Sequence, residues 1–299
     1  MPNASRSEIE TIARHLEELW GAFDALFAVC DQIGWGGKHG QDWTFAEVPY
    51  HVMYCDREAV IKAVEFGANI PPAEKRDLKT LRELNGWNAS EFAKRPAGQT
   101  PGTTVAEYRA SHDDVRRLLN GLSDADLDRK TWFQHGPQRG WRTARWHLRW
   151  CRMHTWMEFV GLRAYMKREA PTVGPETTHA SLATLMAIFS GFLDRAGIAS
   201  LTRPFIFVLD FTGPASDAWT FSIADGKAAG AHTRAPQPDF VMRLSPENFV
   251  KIYAGALNPM FGILTGQIKA QGWGNFSTFG KLAPLPKLDM EWEILEGLA

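Results

Sequence analysis

The sequence lacks the features that mark several common classes of protein. No run approaches the roughly 20 apolar residues that a membrane-spanning helix needs, so we expect no membrane span. The formal net charge is −1, without an excess of basic residues, which argues against a nucleic-acid partner. Three cysteines, Cys30, Cys55 and Cys151, lie far apart and form no CxxC pair. We therefore expect free thiols in a reducing compartment and predict a cytoplasmic protein.

The chain is long enough for two domains. It has 299 residues, 44% of them apolar and 22% charged, a composition typical of folded globular proteins. The hydrophobic pattern breaks at residues 171–175, PTVGP, where two prolines and a glycine occur close together. We therefore place one domain at 1–172 and a second at 176–299.

The first domain is predicted to be an all-α four-helix bundle. Apolar residues recur at helical spacing over 6–32, and the pattern stops at the glycine-rich segment 34–37. Thr44 with Glu47, and Thr104 with Glu107, have the form of a capping box that opens a helix. The four long helices are then expected at 6–32, 44–66, 104–122 and 143–167, with a shorter one at 88–95.

The second domain is predicted to be an α+β layer fold. A helix is expected near 180–196, and the pattern then changes to strand-like alternation. The Asp225-Gly226 pair is a hairpin turn signal. Helices are expected at 246–254 and near 274–282, with an irregular apolar segment at 257–265 between them. Antiparallel strands are expected at 205–211, 218–223, 228–234, 239–243 and 267–271.

The second half resembles the sterol carrier protein type 2 family over about 180–285. The segments that carry the resemblance are FVLDF at 207–211, WTFSIADG at 219–226, PDFVM at 238–242 and YAGALNPMFGILTGQIKAQG at 253–272. The resemblance implies an apolar tunnel between sheet and helices that binds sterols, fatty acids or acyl-CoA. The candidate lining residues are Phe205, Phe207, Met242, Phe249, Met260, Phe261, Ile263 and Leu264. The alternative for each is a plain role in the core.

The first half resembles the DinB-like metal-binding bundles, in particular the branch that contains mycothiol-dependent maleylpyruvate isomerase. The segments DWTFAEVPYH at 42–51, with Asp56 five residues on, and MHTW at 153–156 carry the resemblance. In relatives, a histidine of the second helix and a Glu/His pair of the last helix bind a divalent metal. Carried onto this chain, the ligands are His51 and His154. Trp150 occupies the position of the glutamate, and Met157 replaces a further aspartate.

The last predicted helix offers substitutes for the missing ligand. His147, Cys151, His154 and Glu158 follow one stripe, and His51 and Cys55 repeat the i, i+4 spacing on the second helix. We therefore take His51, His147 and His154 as candidate metal ligands, with Cys151 an alternative to His147. A Cys/His site suits zinc or nickel better than magnesium. The alternative is a metal-free core in which Trp150 fills the space.

Three functions stay open at this point. The first is a carrier for a hydrophobic sterol-like, fatty acyl or acyl-CoA ligand. The second is a metal-assisted isomerase or transferase that uses a low-molecular-weight thiol, with its site in the bundle. The third is a structural or regulatory protein. The sequence assigns no catalytic residue, identifies no ligand, and leaves a homodimer open.

Overall fold

The computed structural model describes residues 4–40, 43–283, 288–295 and 298. Its N-terminal half is largely helical. The helices are α1 (Ala4–Ile33), α2 (Val48–Cys55), α3 (Lys62–Phe66), α4 (Leu81–Phe92), α5 (Pro101–Gly121), α6 (Asp124–Leu127) and α7 (Ala144–Tyr165).

Helices α2 and α3 belong to one helical path that contains a π-helical segment, Asp56–Ile61. The path begins as predicted at Thr44, which forms a capping box with Glu47 before a 3-10 turn. Pro49 lies in the first turn of α2, where a missing N–H costs little. The π segment follows Cys55 directly, and such bulges are frequent at functional sites.

The N-terminal half is not purely α, so this part of the prediction is wrong. Two short antiparallel pairs occur, β1 (Lys38–His39) with β2 (Trp43–Thr44), and β3 (Lys130–Phe133) with β4 (Gly140–Thr143). The β-branched and aromatic run at 131–133 favours a strand, but four residues were too few to give a clear alternating pattern.

The C-terminal half contains a sheet of five strands, β5 (Phe205–Phe211), β6 (Asp217–Ala224), β7 (Lys227–Ala231), β8 (Phe240–Leu244) and β9 (Ile268–Gln271). Their order across the sheet is β7-β6-β5-β8-β9. The β5–β8 pair is parallel, so the expected fully antiparallel sheet is wrong at this pair. The turn between β6 and β7 has positive φ at Asp225 and Gly226, as its sequence predicts.

Helices cover one face of this sheet. Phe207 of β5 contacts Phe189 and Phe279 on two of these helices, and Phe189 also contacts Phe249 on a third. Residues 259–264, expected to be irregular, form a short helix begun by Asn258, which accepts two backbone N–H bonds. The helices are α8 (Pro175–Phe189), α9 (Arg195–Ala199), α10 (Pro246–Tyr253), α11 (Pro259–Leu264) and α12 (Phe276–Leu282).

The two halves pack against each other along α7. Helices α8 and α10 both contact α7, and the buried guanidinium of Arg163 pairs with Glu247. Residues 288–295 return to the N-terminal half, where the Trp292 N–H donates to the Lys79 carbonyl. Within the described ranges, no helix combines the length and apolarity needed to cross a membrane.

Candidate functional site

Four potential metal ligands meet between α2 and α7. The Nε2 atoms of His51 and His154 are 3.1 Å apart, and Cys55 Sγ lies 3.8 Å from His51 Nδ1. Glu158 Oε1 is 3.7 Å from His51 Nε2 and 3.8 Å from His154 Nε2. We call His51, Cys55, His154 and Glu158 the bundle cluster. The i, i+4 spacing on each helix turns both side chains of a pair toward the facing helix.

The hydrogen bonds around His51 determine which ring nitrogen carries its proton. Tyr54 Oη donates its one hydrogen to Asn88 Oδ1 at 2.6 Å. It must therefore accept from Nδ1–H of His51, which is 2.7 Å away. Nε2 of His51 is then the unprotonated nitrogen, and its lone pair faces His154. A hydrogen-bonded Nδ1 with a free Nε2 is the usual arrangement of a metal-binding histidine.

Burial keeps both imidazoles of the bundle cluster neutral. It lowers the pKa of His51 well below its usual 6.5, and the neighbouring His154 lowers it further. Burial lowers the pKa of His154 to about 3 and raises that of Glu158 to about 7. Burial, with Asp56 and Glu158 nearby, also raises the pKa of the Cys55 thiol. His51 Nε2 thus presents a lone pair, whereas His154 Nε2–H donates to it. To bind an ion, His154 must shift its proton to Nδ1 and Cys55 must lose its proton.

The donor set fits a divalent transition metal. Two nitrogens on one zinc ion, each bound at 2.0–2.1 Å, are at most about 4.2 Å apart, and the observed 3.1 Å is within that limit. Imidazole and thiolate donors favour zinc, nickel or copper over magnesium. Nδ1 of His154 is buried without a hydrogen-bond partner among the described residues, so no second hydrogen bond fixes the orientation of this ring.

Trp150, at the position expected for glutamate, supports the cluster instead of adding a ligand. Its ring stacks on His154, with centroids 4.6 Å apart and an interplanar angle of 12°. It also contacts Phe133 and His135 edge-on. The carboxylate in this site comes from Glu158, one turn after His154. Glu158 lies in the predicted stripe, whereas the expected ligands are His51, His147 and His154.

The structure places His147 apart from the bundle cluster. Its Nδ1 bonds to the Ala59 carbonyl at 2.7 Å, and its ring packs on Phe133. Cys151 is also elsewhere, with its thiol 3.3 Å from Asp56 Oδ1. His147 and Cys151 therefore contact the π-helical path and not the other candidate ligands.

The bundle cluster lines a cavity of about 250 Å³ whose walls come from both halves of the chain. Leu185, Ile188, Phe192, Tyr253 and Trp292 form the side contributed by the second half. The first half contributes the cluster itself together with polar and aromatic residues, among them Trp43, Trp87, Asn88, His135, Gln138 and Trp150.

A second cavity, of about 240 Å³, lies between the sheet and the helices of the C-terminal half. None of its described lining residues is charged, and it shares Phe192, Tyr253 and Trp292 with the first cavity. Its other lining residues are Phe189, Leu193, Met242, Phe249, Ile252, Pro259, Phe276, Phe279, Gly280, Ala283 and Met290.

The eight predicted ligand-binding residues have different places relative to this cavity. Met242 and Phe249 line it, whereas Phe205 and Phe207 are buried in the sheet core. Ile263 is half-buried on α11. Three neighbours face solvent, with exposed fractions of 48% for Met260, 58% for Phe261 and 81% for Leu264.

Sequence reasoning missed several residues that complete the site. Tyr54 and Asn88 orient His51, yet their only sequence signal is the i, i+3 spacing of Tyr54 from His51. Phe192, Tyr253 and Trp292 form the wall shared by the two cavities. They come from three separated segments, so no local pattern could bring them together.

Comparison with known proteins gives a family match for each half. The DinB superfamily matches residues 15–158, and the SCP-2 sterol transfer family matches residues 198–285. Both resemblances inferred from the sequence are thereby confirmed. No curated protein sequence matches the chain.

Solved structures that match the chain do so at low sequence identity. A mycothiol-dependent maleylpyruvate isomerase is 14% identical, with a TM-score of 0.48 over 96% of this chain and 97% of that chain. Sterol carrier protein 2 from Yarrowia lipolytica is 19% identical, with a TM-score of 0.22 over 26% and 67%. The sterol carrier protein domain 2 of Helicoverpa armigera is 23% identical, with a TM-score of 0.28 over 38% and 88%.

Proposed function

We propose that the protein binds a hydrophobic ligand in the C-terminal cavity and holds the polar end of that ligand at the bundle cluster. The observation that carries this proposal is the wall of Phe192, Tyr253 and Trp292, which both cavities share. Ligand pockets are usually about 300–1,000 Å³, so each cavity alone is small and the two together fall in that range.

The polar half of the ligand would meet unpaired polar atoms. Among the described side chains, His135 Nδ1 and Gln138 Oε1 are buried without hydrogen-bond partners, and both residues line the cavity of the bundle cluster. An unpaired buried polar atom costs about 1–3 kcal/mol, which a ligand hydroxyl, amide or carboxyl group would offset. The uncharged C-terminal cavity favours an acyl or sterol-like body. The match to the sterol transfer family supports the same ligand class.

The hydrophobic-ligand proposal can be tested with the displacement of a fluorescent fatty-acid analogue from the full chain. Met242→Trp adds volume inside the cavity and should weaken binding by about tenfold or more, equivalent to about 1.4 kcal/mol. Met260→Trp makes the same chemical change on the exposed surface of α11 and should leave binding within about twofold. Equal affinity in Met242→Trp and the wild type would contradict the proposal.

A second function, metal-assisted chemistry on the bound ligand, is favoured by the bundle cluster. His51, Cys55, His154 and Glu158 would hold the ion, which when bound can polarise a carbonyl group or stabilise a thiolate. Tyr54 fixes the tautomer of His51, and Trp150 fixes the plane of His154. A reaction with a low-molecular-weight thiol, as an isomerase or a transferase, is the proposed form of this chemistry.

Cobalt(II) titration tests the metal site because a cobalt–thiolate bond gives a charge-transfer band that reports Cys55. We expect the band in the wild type and its loss in Cys55→Ser. His51→Ala and His154→Ala should weaken cobalt binding strongly. His147→Gln, which can keep a hydrogen bond to the Ala59 carbonyl, should bind cobalt as the wild type does. A wild-type protein that shows no thiolate band would contradict the site.

A further inference from the structure

A second group of metal-binding side chains lies outside the bundle, at the edge of the C-terminal sheet. His179 comes from α8, Asp217 begins β6, and His232 follows the end of β7. One donor atom from each residue lies within 4.8 Å of the other two. Asp217 is central, with Oδ1 2.5 Å from His232 Nε2 and Oδ2 3.3 Å from His179 Nε2. We call these three residues the sheet-edge cluster.

The carboxylate of Asp217 is held in place by groups other than the two histidines. The Ala218 N–H donates to Oδ1 at 2.8 Å, and the Trp219 indole N–H donates to Oδ2 at 3.0 Å. Such outer hydrogen bonds orient the ligands of metal sites. The side chain of Asp217 is 9% exposed, so water competes little for these bonds.

The ring of His232 is also oriented. It stacks on Trp219 with centroids 4.7 Å apart and an interplanar angle of 12°. The chain just beyond it is tied to β6, because Thr220 Oγ1 donates to the Thr233 carbonyl at 2.7 Å. Trp219 thus holds two of the three donors at once, the carboxylate through its N–H and the imidazole through its face.

We infer that His179, Asp217 and His232 form a binding site for a divalent transition-metal ion, separate from the bundle cluster. Two imidazoles and one carboxylate suit zinc, nickel, copper or ferrous iron. Side-chain exposures of 46% for His179 and 54% for His232 leave the outer side of the cluster open to an incoming ion and to water as a further ligand.

An ion here would link α8 to the sheet. His179 lies in the second turn of α8, and Leu185 and Ile188 of the same helix line the cavity of the bundle cluster. Binding to the folded state alone raises thermal stability by mass action. Occupation should therefore raise the melting temperature of the full chain and hold α8 in place against the cavity.

The test is a zinc titration of the full chain by calorimetry, with the cobalt–thiolate band as an independent monitor of the bundle cluster. Asp217→Asn should remove one equivalent of bound zinc and leave the thiolate band unchanged. Asp225→Asn is the matched control because it removes the same charge from the same sheet, at a turn position with positive φ that asparagine tolerates. This control should bind zinc as the wild type does.

Two further variants keep the result interpretable. His232→Gln changes a half-exposed side chain, so it should fold normally and also lose the zinc equivalent. Trp219→Phe keeps an aromatic ring but removes the indole N–H, and should weaken zinc binding by about tenfold. Zinc should raise the melting temperature of the wild type more than that of Asp217→Asn. The same number of zinc ions bound with the same affinity in the wild type, Asp217→Asn and His232→Gln would overturn the inference.

Discussion

Replacing Tyr54 by phenylalanine tests whether the hydrogen bonds behind His51 prepare it for metal binding. The substitution removes the acceptor of His51 Nδ1–H and the donor to Asn88 Oδ1, both buried. Each of the two groups left unpaired costs about 1–3 kcal/mol, so we expect the metal-free protein to lose about 2–6 kcal/mol of unfolding free energy. Loss of an outer-shell partner should also weaken cobalt binding by about 10–100-fold.

The matched control is Tyr50→Phe, one turn earlier on α2. Tyr50 is also buried, but its hydroxyl donates to the Glu91 carbonyl at 3.0 Å and does not contact His51. It should cost about 1 kcal/mol and leave cobalt affinity within about twofold. Urea unfolding gives the stabilities, and titration of the cobalt–thiolate band gives the affinities. If Tyr54→Phe folds and binds cobalt as tightly as Tyr50→Phe, the proposed role of Tyr54 is wrong.

Three further predictions concern stability, measured by urea unfolding. Burial lowers the pKa of His112 to about 4, so the contribution of this residue to stability is complete above pH 6.5 and falls by up to about 3 kcal/mol as the pH drops to 4. The free energy of unfolding of His112→Phe should fall less over the same pH range. An equal fall in the variant and the wild type would contradict this prediction. Arg163→Met should cost about 2–3 kcal/mol because it leaves Glu247 unpaired, whereas Arg117→Met at an exposed pair should cost under about 1 kcal/mol. Equal losses would refute the distinction. Gly272→Ala should cost at least about 1 kcal/mol, because φ is +80° and the new Cβ would lie 2.2 Å from the Asp239 carbonyl oxygen. An unchanged free energy of unfolding would contradict this prediction.

The fold was predictable from the sequence wherever the hydrophobic period was long or the turn chemistry specific. The strand at 205–211 was predicted with the bounds that β5 has, and the Asp225-Gly226 turn was predicted at its place. The direction of the strands was harder to predict. The parallel pairing of β5 and β8 depends on how the chain connects these strands, which no single segment encodes. Helix α11 was missed since six residues are too few to show a helical period.

The types of residue in the candidate site were predictable from the sequence, but not which of them come together. The i, i+4 spacings indicated Cys55 and Glu158 as possible ligands. Spacing alone could not show which side of α7 faces α2. That choice rests on packing: His147 bonds to the Ala59 carbonyl, while Glu158 approaches His51. The apolar segment 260–264 was expected at the ligand, but half of α11 faces solvent, because residue type alone does not show which face of a short helix is covered.

Trp150 explains why the two halves act on one ligand in the proposed function. A glutamate at this position would leave room beside His154 on the bundle side, whereas the indole fills that space by stacking on His154 and packing on Phe133 and His135. The carboxylate of this site is on Glu158, about two turns further along α7 than Trp150 and closer to the end where Arg163 pairs with Glu247 of α10. The second half contributes part of the wall of this cavity, so in the proposed function a ligand at the bundle cluster would contact residues that also line the apolar cavity.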